Sequence, residues 1–112
     1  MHPLTEIAEK VVAATMAELP PEIQERIASV PVLIESEPST EDIESGIDAD
    51  TLGFFDEDLQ GLARIRLWVE NISTFAEEEG ADFQDEVRTT LLHEIGHVLG
   101  WDEDDLDERG LG

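Results

Sequence analysis

Two of the three histidines in this 112-residue chain, His93 and His97, stand four positions apart, with Glu94 directly after the first. On an α-helix that spacing sets both imidazoles on one flank, a turn apart, where both can reach a single tetrahedral ion. Glu94 falls beside them and can reach a water on that ion without ligating it. Zinc suits neutral imidazoles. It lowers the pKa of its water toward ~7, and a neighbouring carboxylate can take that water's proton and pass it to a leaving group. The chemistry anticipated is metal-assisted hydrolysis, with His93 and His97 as metal ligands and Glu94 as general base. The plainer account of the same residues is a pair of solvated histidines on an acidic helix.

A catalytic zinc ion generally takes three protein ligands and keeps one position for water. The chain has no cysteine, and its remaining histidine is His2, at the very start. The third ligand is therefore expected to be a carboxylate from the stretch that follows Gly100. Residues 101–108 carry six acids in eight positions. Glu103 is the first choice, and Asp102 and Asp104 are its neighbouring alternatives. Acids at a helix C-terminus oppose the dipole by about 0.3–1 kcal/mol each, a repulsion that a bound cation offsets. Calcium ranks low, because Asp102 and Asp104 without a glycine at the sixth position do not form an EF-hand loop.

The motif needs a helix to carry it. Projected at about 100° per residue from Phe83, the residues Val87, Leu91, Leu92, Ile95, Val98 and Leu99 span one apolar arc. His93 and His97 fall outside it, near about 280° and 320°, with Glu94 near about 20°. A helix over residues 82–99, ended by a left-handed Gly100, is predicted. Upstream, Leu4, Ile7, Val11, Val12, Met16 and Leu19 keep helical spacing until Pro20-Pro21 stops them. Pro21 then opens a shorter helix with Ile23 and Ile27 inward. Residues 31–35 read as a strand. Residues 36–62 read as a long loop, a candidate lid, interrupted by Leu52-Gly53-Phe54-Phe55, whose two phenylalanines are expected in the core rather than at a substrate.

Residues 64–70 alternate strictly, with Ile65, Leu67 and Val69 inward and Arg64, Arg66, Trp68 and Glu70 toward solvent. A short helix over residues 73–79 should stop at Gly80. Together these elements predict one α+β domain over residues 1–112: N-terminal helices, a short two- or three-stranded sheet with helices on one side, and a C-terminal metal-binding helix.

Acids outnumber bases 29 to 6, for a formal charge of −23. That balance excludes a nucleic-acid binder that works through a basic stripe, and anionic membranes would repel it. Hydrophobic residues make up 40 % and fall in patterned runs, which excludes a wholly disordered acidic tail. No signal-peptide pattern and no membrane-length apolar run are visible, so a soluble cytoplasmic protein is expected. The acidity fits adaptation to high salt or a surface kept for solubility. The sequence leaves the oligomeric state open.

Residues 93–103 resemble the minimal zincin-like metallopeptidases, small prokaryotic proteins whose pattern is His-Glu-x-x-His-x-x-Gly-x-x-Asp. Every fixed position matches except the last, where Glu103 stands in place of Asp. The helix ending Leu19-Pro20, the strand at 31–35, the step Leu52-Gly53-Phe54 and an edge-like strand before the motif helix extend the likeness. The resemblance implies a small zincin-like fold and a zinc-dependent peptidase acting on a peptide or protein. The substrate would pair with an edge strand at residues 64–70. The chain has no tyrosine to steady a tetrahedral intermediate, which points to weak or substrate-restricted turnover. Two other readings stand beside it: a non-catalytic metal-containing module that binds a peptide or protein, and a metal-buffering or structural protein.

Overall fold

The computed structural model of the chain describes residues 3–57 and 60–100. Helix α1 (Pro3–Glu18) buries Ala8 and Thr15 and lays Leu4, Val11, Val12 and Met16 against the core. Pro20-Pro21 ends it and starts α2 (Pro21–Ile27), whose first turn holds a proline and whose inward side holds Ile23 and Ile27. The corner is tied by the Gln24 amide, which donates to the carbonyls of Met16, Ala17 and Leu19 at 3.0, 3.2 and 2.9 Å. These carbonyls belong to the end of α1, where a helix leaves its acceptors unsatisfied.

The sheet has three strands, β1 (Val32–Glu35), β2 (Gly53–Glu57) and β3 (Ala63–Trp68), in the order β1-β3-β2. β1 runs parallel to β3, with Val32 opposite Ile65, and β2 runs antiparallel, with Gly53 opposite Leu67. Helix α3 (Thr40–Glu44) lies between β1 and β2 in the chain. Two further helices, α4 (Val69–Glu79) and α5 (Phe83–Val98), follow β3. Ile65 and Leu67 join Val87, Leu91 and Ile95 of α5 in one core cluster with Ala8 and Ile27. The α+β architecture and the three strands agree with the sequence reading.

Four details depart from it. The segment 36–62 is not one long loop, because it contains α3 and β2. β3 stops at Trp68, and Val69 opens α4 instead of ending the strand. Val69 is fully buried, and an inward residue serves the first turn of a helix as well as it serves a strand. β3 is also the central strand, paired on both sides, and not an edge. Finally, its second face meets solvent only at the start, where Arg64 stays part-exposed: Arg66 is 8 % exposed and Trp68 is fully buried.

The cover over that face is ionic. Arg66 donates from Nη2 to Asp42 Oδ2 at 2.6 Å and to Glu35 Oε1 at 2.9 Å, and from Nη1 to Asp42 Oδ1 at 2.9 Å. Trp68 Nε1 donates to the same Glu35 oxygen at 3.0 Å, and the guanidinium carbon lies 5.0 Å from the Trp68 ring centre. Asp42 is delivered by a capping box in which Ser39 N donates to Asp42 Oδ2 and Asp42 N donates to Ser39 Oγ. Arg64 pairs with Asp56 of β2 at 2.6 Å. The hydrogen bond from Arg66, then that from the Ser39 backbone, holds the Asp42 carboxyl well below the ordinary carboxylate range.

A carboxyl depressed in the fold stabilises it fully above its unfolded-chain value near ~4, and that contribution is lost as pH falls below it. Asp42→Asn should therefore cost about 1.5–3 kcal/mol in urea unfolding at pH 7, the range for a hydrogen bond to a charged group. The gap to wild type should narrow as pH drops below ~4. A gap that stays constant with pH would contradict the assignment.

Candidate active site

Helix α5 starts at an N-cap, Asp82, whose side chain accepts from Asp85 N at 3.3 Å. Asp85 and Glu86 in the first turn sit at the positive end of the dipole. At the other end Leu99 caps the helix and Gly100 takes φ +75°, the left-handed turn anticipated from the sequence. Between these ends the helix packs against α1, α4, β2 and β3. Val87, Leu91 and Ile95 are fully buried, and they set which way the remaining side chains turn.

That setting places the three residues singled out above on the last two turns. His93 is half-buried, the Glu94 side chain is 10 % exposed, and the His97 side chain is 60 % exposed. Glu94 Oε1 lies 3.1 Å from His97 Nδ1. When the carboxylate accepts from this nitrogen and the imidazole is neutral, Nε2 is the lone-pair nitrogen of His97. A carboxylate that fixes the tautomer of an imidazole is the arrangement that prepares a metal ligand. Glu94 Oε2 takes no hydrogen bond from the described residues.

The described donors fit zinc in kind: two imidazoles one turn apart, with the Glu94 carboxylate beside them in the place of a non-ligating base. Among the described residues no group of three or more His, Cys, Asp or Glu is placed to hold an ion. The expected third ligand, Glu103, and its alternatives Asp102 and Asp104 lie outside the described residues, as does His2.

Other expectations resolve differently. Arg64 and Arg66, considered above as solvent-facing, are bound to Asp56 and to Glu35 and Asp42. Phe54 and Phe55 are half-buried on β2, opposite Arg66 and Ile65 respectively, and neither belongs to the core cluster. The sequence reading missed how β2 seats on α5. A Cβ built on Gly53 would lie 2.7 Å from Thr90 Cγ2, 3.2 Å from Leu67 Cδ2 and 3.3 Å from the Arg66 carbonyl. Thr90 is buried and one turn before Glu94. The signal available was the glycine inside Leu52-Gly53-Phe54, since a glycine within a strand often marks close approach of another backbone.

A family model described as zincin-like metallopeptidase matches residues 27–112, well over half of the chain and every element from β1 onward. No curated protein matches the chain significantly.

The contact between Gly53 and Thr90 is open to test. Thr90 is buried in close-packed surroundings, so its methyl cannot move aside without displacing its neighbours. Gly53→Ala should destabilise the protein by about 1–3 kcal/mol, the usual cost of overpacking. Adding Thr90→Ser, which removes the opposing methyl, should restore part of that loss in thermal or urea unfolding. Equal losses with and without Thr90→Ser would show that the glycine is needed for another reason.

Proposed function

We propose, from the premise that this chain belongs to the zincin-like metallopeptidase family, that it hydrolyses peptide bonds in a peptide or protein substrate at a zinc ion carried by α5. The observation that carries the reading is the setting of Glu94, a nearly buried carboxylate held against the imidazole of His97 on the helix that also bears His93. His93 and His97 would hold the ion, with Glu103, or its neighbours Asp102 or Asp104, as the carboxylate ligand. When bound, zinc supplies a Lewis acid that acidifies water and polarises a carbonyl.

The protein's own residues account for the rest. Glu94 Oε1 keeps the His97 Nδ1 proton in place, and Glu94 Oε2, which takes no hydrogen bond from the described residues, is the oxygen that would accept the proton of the attacking water. The same carboxyl then returns that proton to the leaving amine, completing hydrolysis without a covalent enzyme intermediate. An extended substrate would add to β2, not to β3, since both sides of β3 are paired and β2 is the outer strand that packs on α5. The chain's lack of tyrosine, together with the ion pairs that occupy Arg64 and Arg66, removes the obvious side-chain donors for a developing oxyanion. Turnover is accordingly expected to be slow or restricted to a narrow range of substrates.

Glu94→Gln should keep its zinc and lose turnover on a peptide library by about 10²–10⁴-fold, the usual share of a general base. Glu103→Ala should lose zinc, whereas retention there would move the third ligand to Asp102 or Asp104. A zinc-loaded wild type that cleaves nothing in the library would overturn the peptidase reading in favour of a metal-containing binding module.

A further inference from the structure

A groove of about 880 Å³ opens between the stretch at residues 48–52, which leads into β2, and the outer side of α4. None of His93, Glu94 and His97 lines it. Its apolar surface includes Leu52 and Phe75, the latter an aromatic ring left 36 % exposed on a small domain with four phenylalanines. Its rim carries three exposed carboxylates, Asp48, Asp50 and Glu78, and among the described residues no basic side chain lines it. Three of the chain's six bases are already committed elsewhere, Arg64 to Asp56, Arg66 to Glu35 and Asp42, and Arg88 to Glu18. Among the described residues, none of these cations is placed to balance the groove's carboxylates.

The walls are held in place. The Asn71 side-chain amide donates to the carbonyls of both Ala49 and Thr51 at 2.8 Å, which clamps the stretch to α4. Trp68 N donates to Leu52 O at 2.9 Å and fixes the other end of the stretch to the sheet. A preformed concave surface costs less ordering on binding than a mobile one. Its volume lies in the range of ordinary ligand pockets and admits a few residues of peptide.

We infer that this groove docks a basic-apolar segment of a partner protein: a short stretch in which Lys or Arg flanks a large aliphatic or aromatic residue. The apolar side chain would rest on Phe75 and Leu52, while the cations meet Asp48, Asp50 and Glu78. The charge pattern selects this occupant, because an acidic segment would face three like charges and a purely apolar one would leave the rim carboxylates unmatched. The inference does not depend on hydrolysis at α5.

The test uses the full chain at ~0.15 M ionic strength, where long-range attraction to a polyanion is largely screened. The probe is a fluorescent peptide, Arg-Lys-Leu-Leu-Lys-Arg, followed by anisotropy and by amide shifts in the NMR spectrum. The triple variant Asp48→Asn, Asp50→Asn, Glu78→Gln should weaken binding by about tenfold or more, and Phe75→Ser alone by several-fold. A control triple, Glu6→Gln, Glu9→Gln, Glu25→Gln, removes the same charge from exposed sites on α1 and α2 and should change affinity less than about twofold. Equal weakening in both triples would reduce the effect to the protein's net charge and overturn the proposal. So would undiminished binding of a peptide with serine in place of leucine, equal competition by spermine, or shifts confined to residues outside the groove.

Discussion

Burial of Val87, Leu91 and Ile95 fixes the rotation of α5 about its own axis, and the candidate site depends on that rotation. Each fully buried aliphatic side chain is worth about 1.5–3 kcal/mol relative to exposure. Turning the helix by a single residue, about 100°, would forfeit several of these at once. With the rotation set, His97 must point outward, His93 lies part-way in and Glu94 turns inward beside them. The spacing of the motif therefore becomes geometry only because the sheet, α1 and α4 grip the opposite side of the helix. Gly53 lets β2 approach to the distance at which that grip includes Thr90, one turn before Glu94.

The other face of the sheet solves a different problem. β3 presents Arg66 and Trp68 to what would otherwise be a wet surface, and Asp42 and Glu35 close over them. A guanidinium taken this far out of water must be matched on nearly all its donors, and three nitrogens of Arg66 find two carboxylates between them. The cluster ties β1, α3 and β3 together across long stretches of sequence. It also fixes which strand edges remain available: β3 is enclosed between β1 and β2, so any strand-like partner has to come to an outer edge.

Much of the helical frame was legible in the sequence because its signals are local. Pro20-Pro21, Asp82, Gly80 and Gly100 each act within a turn of their own position, and all four mark the boundaries at which helices end or begin. Legibility failed where the deciding contacts are distant. Arg66 looks solvent-facing by its period-2 alternation, and only partners 24 and 31 residues upstream reveal it as buried. β2 escaped notice because Phe54 and Phe55 are adjacent and do not alternate with polar residues. α3 had a visible signature in Ser39-Thr40-Glu41-Asp42, a capping-box pattern that is easily lost in an acidic run. The strand order, with a late strand in the middle, follows from a parallel pairing over more than thirty residues that no local pattern encodes. Of the candidate site, the spacing alone put His93, Glu94 and His97 on one stretch of helix, while the exposure of each had to come from packing.

The central proposal is that the flank of α5 bearing His93 and His97 holds a zinc ion through these two side chains. Its most direct test is the zinc-to-protein ratio of chain purified without chelator, measured by atomic emission for wild type, His93→Ala and His97→Ala. The account predicts one zinc per chain in the wild type and a clear loss in each variant, with helical content unchanged. A wild type that takes up no zinc even when it is supplied, or variants that keep theirs in full, would contradict it.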